Sequence, residues 1–195
     1  MVKVSSTKAF VNLPCAHAQY FDKEPDGSPG NCASVHGYDR TVKITFTGSV
    51  DDQGWIVPFG ELSEVKKFLE FYFDHVTVFP ANDPRIQNIP MRMRVPGEIF
   101  GTMRVLPYGV SMEMSSLFIW EHVNAFILSI TDGRCYVSKV ECIEHERNSA
   151  FIEVGEFEAR RDGYSRIKSG NDLLPKVSDW YYVQPKARIG ELNGR

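Results

Sequence analysis

Cys32–Tyr38 reads CASVHGY, and Cys15–Tyr20, upstream of it, reads CAHAQY. The first stretch sets a thiol and an imidazole four residues apart, just after a turn-rich segment, DKEPDGSPGN (Asp22–Asn31). It leads into a run in which Val42, Ile44 and Phe46 alternate with Thr41, Lys43, Thr45 and Thr47, a half-buried strand. Side chains on a strand alternate with period two, so His36 and Tyr38 share a face at its start. His17 ends an apolar stretch within a first strand and its exit, Lys8–Phe21, and supplies another ring from elsewhere in the fold.

Beyond this pair of strands, the DDQG turn (Asp51–Gly54) leads into a short extended piece, Trp55–Val57. Leu62, Val65, Leu69 and Tyr72 recur at helical spacing and predict a helix from about Glu61 to Phe73. The proline-rich segment Val76–Val110 carries the alternating run MRMRV (Met91–Val95), read as a hairpin or edge ribbon. A second helix spans about Met112–Ser129, with Leu117, Trp120, Ala125 and Leu128 apolar. Two strand-like runs follow, CYVSKVECIE (Cys135–Glu144) and AFIEVGEFEA (Ala150–Ala159). Strand pairs with helices packed on one face make an α+β domain. The tail, Arg160–Arg195, is polar and punctuated by Gly and Pro, with one aromatic cluster (Trp180, Tyr181, Tyr182).

The chain has 195 residues, 43% hydrophobic and 24% charged, enough for one domain with a substantial core. A net charge of −3 and a pI near 6.0 give no drive toward nucleic acid or an anionic membrane. No apolar run is long enough to span a bilayer. The N-terminus, MVKVSSTKAF, lacks the pattern of a secretory signal. The four cysteines (Cys15, Cys32, Cys135, Cys142) therefore read as reduced thiols of a cytoplasmic protein.

Catalytic zinc takes three protein ligands and keeps a fourth position open. His17 and His36 supply two nitrogens, although on spacing alone they are equally two unrelated polar side chains near a turn. Tyr38 is a weak third ligand, because a phenol is neutral at pH 7. Cys32, in a loop, becomes a useful base or nucleophile when a cation lowers its pKa, and is otherwise a small hydrophobe. In Asp74-His75 the carboxylate can orient the imidazole as a proton shuttle; the alternative is a helix-end histidine favoured by the dipole, its ring about 100° away. Glu144, with Glu141 and Glu146 nearby, can hold a guanidine-like N–H edge or belong to a solvated strand end. Ser111 and Glu113 read first as the capping arrangement of the second helix. Arg92 and Arg94 share a face and can grip a phosphate chain or form the wet side of an edge strand.

In this order the segments resemble the 6-pyruvoyl- and 6-carboxy-tetrahydropterin synthase family, over Phe10 to about Glu156 apart from an insertion. CAHAQY is similar to its first zinc-histidine segment, and CASVHGY to its Cys-x-x-x-His-Gly-His segment. GWIVPFGEL (Gly54–Leu62) resembles its Gly-(Trp/Met)-(Ile/Val)-(Ile/Val)-Asp-Phe-x-x-Leu, FDH (Phe73–His75) its Leu-Asp-His, and SMEMSSLFIWEHV (Ser111–Val123) its Thr-x-Glu helix start. CIEHERNSAF resembles its late strand, where a glutamate anchors the pterin ring. The three residues between Cys32 and His36 resemble the bacterial 6-carboxy branch.

The resemblance implies a tunnelling fold (T-fold) over residues 1–159, with an insertion at about 76–110 and an extension at 160–195. Its antiparallel sheet would carry two helices on one face and join others into a barrel, as a homo-oligomer, a trimer or hexamer with active sites between subunits. It implies a zinc-dependent lyase acting on 7,8-dihydroneopterin triphosphate to give 6-carboxytetrahydropterin, acetaldehyde and triphosphate, on the route to queuosine and other 7-deazaguanines. Zn2+ would sit on His17, His36 and position 38; Cys32, Asp74 and His75 would move protons; Glu144, with Ser111 and Glu113, would bind the pterin. The alternatives are a 6-pyruvoyl-type reaction, or a homologue that binds a pterin or purine without turnover. Two positions depart from the pattern: Tyr38 stands where the family has its third zinc histidine, and Pro58 where it has an aspartate.

Overall fold

The inward face of the second strand organises the molecule. In the computed structural model, which describes residues 3–93 and 96–176, strand β2 (His36–Gly48) buries Val42, Ile44 and Phe46 completely. Arg40 extends the same series by one step and is also fully buried. Strand β1 (Val4–His17) pairs antiparallel with β2, placing Phe10 against Val42 and Leu13 against Arg40. Two residues of β1, Val11 and Asn12, therefore face the single Thr41, which makes a β-bulge. Asn12 takes a left-handed backbone (φ 59°), a conformation asparagine tolerates better than most residues.

The bulge changes which parity of β1 faces inward. Before it Phe10 is buried; after it Leu13, Cys15 and His17 are buried. With strict alternation His17 would point to the side opposite Phe10. The extra residue instead brings His17 onto the face that carries His36 and Tyr38.

The remaining strands are β3 (Val76–Pro80), β4 (Thr102–Leu106), β5 (Cys135–His145) and β6 (Asn148–Glu153). They form one six-stranded sheet, ordered β4-β3-β1-β2-β5-β6 and curled into a half-barrel. The pairs from β1 through β2 and β5 to β6 are antiparallel, whereas β3 lies parallel to both β1 and β4. The expected all-antiparallel sheet is thus a mixed one. The segment read as an insertion contributes β3, every residue of which is buried. Strands buried on both sides carry no alternation, which is why VTVFP gives no period-two signal. Of the MRMRV run read as a ribbon, Met91–Met93 form a 3-10 turn instead, and Arg94 and Val95 lie outside the described residues. Trp55–Val57 lies outside the strands, on the bend that follows the Asp51–Gly54 turn.

Helix α1 (Ser63–Phe73) follows a 3-10 turn (Phe59–Leu62) and buries Val65, Phe68, Leu69, Tyr72 and Phe73. Helix α2 (Met112–Ile130) begins at Ser111, whose hydroxyl accepts the Met114 N–H at 3.3 Å, the expected N-cap. Trp120 ties α2 to β5 by donating its Nε1–H to the Val137 carbonyl at 2.9 Å. A third helix, α3 (Glu156–Lys168), replaces the second half of the expected last strand and crosses the boundary drawn at residue 159. The strand-like run reads through to Ala159 in the sequence, but Phe157 is 73% exposed. What α3 buries is small, Ala159 and Gly163, so it has no apolar stripe to announce it. It docks on α2 through Asn124, whose side-chain amide donates to the Ala159 carbonyl at 2.7 Å and accepts from the Val137 N–H at 3.0 Å. Among the described residues no helix is long and apolar enough to cross a membrane. The aromatic cluster at residues 180–182 lies outside the described residues.

Candidate functional site

The β1–β2 register sets His17 directly opposite His36, and Cys15 opposite Tyr38. Opposed residues of an antiparallel pair point to the same side of the sheet, so the three rings converge. The His17 and His36 ring centroids are 4.3 Å apart, and those of His17 and Tyr38 5.4 Å. Gly37 permits this approach: a Cβ there would lie 2.7 Å from the Cys15 carbonyl oxygen, a contact side chains do not make.

Each ring is constrained differently. The Ser34 carbonyl accepts the His36 Nδ1–H at 2.8 Å, leaving Nε2 as the free nitrogen. His17 is 6% exposed, and its Nδ1 is buried without a hydrogen-bond partner. Burial, reinforced by the Arg40 charge and by His36, pushes its pKa down to about 3, so the ring is neutral at all ordinary pH. Burial pushes the Tyr38 phenol up to about 12, against the opposing pull of Arg40; its hydroxyl donates to Met112 Sδ at 3.6 Å. Arg40 lies beneath, its carbon 5.9 Å from the Tyr38 ring and 4.5 Å from Phe73. One of its nitrogens donates to the Ser115 hydroxyl at 3.0 Å, while Nε and the other terminal nitrogen have no partner.

Seven of the nine residues to which the resemblance assigns a role line one cavity of about 410 Å3: His17, Cys32, His36, Tyr38, Ser111, Glu113 and Glu144. That volume suits a small bicyclic molecule. Glu144 is half-buried and makes no hydrogen bond or ion pair with the described residues, so both its oxygens are open to a ligand. Glu141, by contrast, accepts from the Ser149 hydroxyl at 2.8 Å, and Glu146 is exposed. Cys32 is exposed at the rim; its N–H donates to Asp22 Oδ2 at 3.0 Å and its carbonyl accepts the Gln19 N–H at 2.7 Å. The loop is clamped from the segment after β3: Arg85 donates to both oxygens of buried Asp83 and to the Ala33 carbonyl at 2.6 Å.

Asp74 and His75 do not reach this cavity. They lie where α1 runs into β3, and His75 opens onto a separate cleft with Gly37, Ile99 and Gly101. The helical geometry that would have splayed them has already ended. Asp74 is extended and His75 left-handed (φ 52°), with its N–H held by the Pro14 carbonyl, so that His75 Nδ1 meets Asp74 Oδ1 at 2.5 Å. The imidazole side chain is 83% exposed, and thus presented outward. Arg92 is exposed on the Met91–Met93 turn, away from the cavity lining, and Pro58 lines another groove, beside Trp55.

Arg40 and Arg85 escaped the sequence reading. Arg40 had a signal, since it continues the inward parity of Val42, Ile44 and Phe46. Arg85 had only its spacing from Asp83. Arg147, at the cavity rim, is a third cation that the motifs did not mark.

The donor set does not fit a three-ligand zinc. Among the described residues no group of three or more His, Cys, Asp or Glu side chains is placed to hold a metal ion. The third group here is a phenol held neutral by burial, its hydroxyl turned to a thioether, above a buried guanidinium.

Comparison with known proteins bears on the family and the fold. Residues 7–155 match the model of the 6-pyruvoyl tetrahydropterin synthase family. An uncharacterized protein of Wolinella succinogenes superposes with a TM-score of 0.65 at 18% identity, covering 80% of this chain and 100% of its own. The 6-pyruvoyl tetrahydropterin synthase of Plasmodium vivax gives 0.54 at 18% identity, covering 78% and 99%. That of Plasmodium falciparum gives 0.54 at 19% identity, covering 77% and 98%. No curated protein sequence matches the chain.

Proposed function

The chain belongs to the 6-pyruvoyl tetrahydropterin synthase family, and we propose on that footing that its cavity binds a reduced pterin and acts on the pterin side chain as a lyase. The reading is supported above all by one observation: seven side chains to which the family resemblance gives a role line a single cavity of bicyclic size. Glu144 would take the N–H edge of the ring through two charge-assisted hydrogen bonds. The side chain would then lie toward His17, His36 and Tyr38. With its pKa near 12, Tyr38 is a hydrogen-bond donor to a substrate oxygen and not a metal ligand. His17, held neutral, accepts a hydrogen bond through its unpartnered Nδ1. Cys32 would exchange protons with the side-chain carbons from the rim.

The outward-facing Asp74–His75 pair would complete the site of a neighbouring copy in a homo-oligomer. Its carboxylate fixes the imidazole tautomer that a proton shuttle needs. Arg147, which lines the cavity, would meet the phosphate chain. The substrate most consistent with these groups is 7,8-dihydroneopterin triphosphate, and the products 6-carboxytetrahydropterin, acetaldehyde and triphosphate, the reaction that feeds queuosine and other 7-deazaguanines. The missing third metal donor favours a second reading, a homologue that binds the pterin or a purine without turnover; a 6-pyruvoyl-type reaction is a third.

Purified protein incubated with 7,8-dihydroneopterin triphosphate separates them. Released acetaldehyde supports the lyase, and triphosphate release without acetaldehyde supports the 6-pyruvoyl-type reaction. Micromolar pterin binding without product, weakened at least tenfold by Glu144→Gln, supports the binder. Absence of pterin binding overturns both enzyme readings, and absence of guanine binding as well overturns the binder.

A further inference from the structure

Arg40 is the most unusual residue of the described chain. Its side chain is fully buried, and among the described residues two of its guanidinium nitrogens make no hydrogen bond within normal distance, no carboxylate pairs with it, and the phenol of Tyr38 is the polar group that most nearly approaches it besides Ser115. Burying an unpaired charge is costly, and a guanidinium does not escape by losing its proton. Its surroundings are the Phe73 and Tyr38 rings, the Ser115 hydroxyl, and the thiols of Cys15 and Cys142, which burial pushes up in pKa and so keeps neutral. Nothing on this list cancels the charge.

The charge lies beside the ring cluster, one step further along the same face of β2. The Arg40 carbon is 5.9 Å from the Tyr38 ring centre, and that centre is 5.4 Å from His17. Any ion shared by His17 and position 38 is therefore no further than about 11 Å from a fixed positive charge. At that separation, with an effective dielectric of about 20, repulsion weakens the binding of a divalent cation by on the order of a hundredfold.

We propose that the buried charge of Arg40, next to this cavity but not lining it, excludes a divalent metal from it, so that the exchange of histidine for tyrosine at position 38 and the charge at position 40 form one coupled change. The loss of a third imidazole is then not the whole reason the donor set fails. Restoring that imidazole while Arg40 remains does not rebuild a metal site; restoring it without the charge does.

The test is a metal titration with no pterin present, so its outcome is separate from that of the lyase reading. Wild type, Tyr38→His, Arg40→Met and the double variant are dialysed against chelator. They are then titrated with Zn2+ in competition with a chromophoric chelator, and with Co2+ followed by its visible absorption. Only the double variant is expected to bind stoichiometrically, about a hundredfold tighter than Tyr38→His. Arg40→Lys combined with Tyr38→His, which keeps the charge, is expected to stay weak. Tyr38→His within about threefold of the double variant overturns the proposal, as does wild type that holds stoichiometric zinc through dialysis. If Arg40→Met fails to fold, Arg40→Gln replaces it. If neither neutral variant folds, tight zinc in Tyr38→His alone overturns the proposal, and weak zinc there together with weak zinc in the Lys variant supports it.

Discussion

His17 gives the chain a built-in sensitivity to mild acid. The ring is buried, its folded pKa lies near 3, and an exposed histidine titrates at 6.5. Between those values the unfolded chain binds a proton that the folded chain refuses. Stability therefore falls as pH drops through 6.5, and stops falling only near pH 3, where the folded ring also protonates. At pH 5 the folded ring is still neutral, so the loss depends on the unfolded value alone and amounts to about 2 kcal/mol relative to pH 7.5. Urea unfolding at pH 7.5 and pH 5 measures it in wild type and in His17→Gln, which has nothing to titrate. Other groups contribute equally to both proteins and cancel in the comparison. The expected result is a drop about 2 kcal/mol larger in wild type. An equal drop in the two proteins would refute the reasoning, because it would mean that His17 titrates normally and is neither as buried nor as close to Arg40 as described.

Three further outcomes follow from the geometry. Asn12→Val places a β-branched residue at φ 59° and should cost about 1–2 kcal/mol in thermal or urea unfolding, while Asn12→Gly should be near neutral. Gly37→Ala pushes a methyl to 2.7 Å from the Cys15 carbonyl oxygen and should cost about 1–3 kcal/mol by strand displacement, read as a lowered urea midpoint. Of the four free thiols only Cys32 is exposed, so a thiol reagent under native conditions should label one cysteine per chain rapidly and the other three only on unfolding.

What the sequence made legible was chemistry with a local signature. The alternation of Val42, Ile44 and Phe46 fixed β2, the 3.6-residue recurrence fixed α1 and α2, and Ser111 marked the start of α2. The cavity residues were legible because each carries a polar or titratable group in a segment that resembles the family's, and the fold brings seven of them together. The buried parallel strand β3 was not, because a strand covered on both faces shows no period. Helix α3 was not, because it buries only Ala159 and Gly163, which carry no hydrophobic signal.

By itself, then, the sequence determined the antiparallel core, two of the three helices and seven of the residues that line the cavity, since these rest on side-chain pattern and residue type. Only the tertiary structure decided how the cavity is charged and which groups face it. One extra residue at the Val11–Asn12 bulge sets the side to which His17 points, and a bulge is a matter of pairing register. The left-handed turn at His75 closes that ring onto Asp74 and aims the pair away from its own cavity. The burial of Arg40 without a counter-ion follows from its place opposite Leu13 and under Tyr38, and burial of a charge depends on what surrounds it in space.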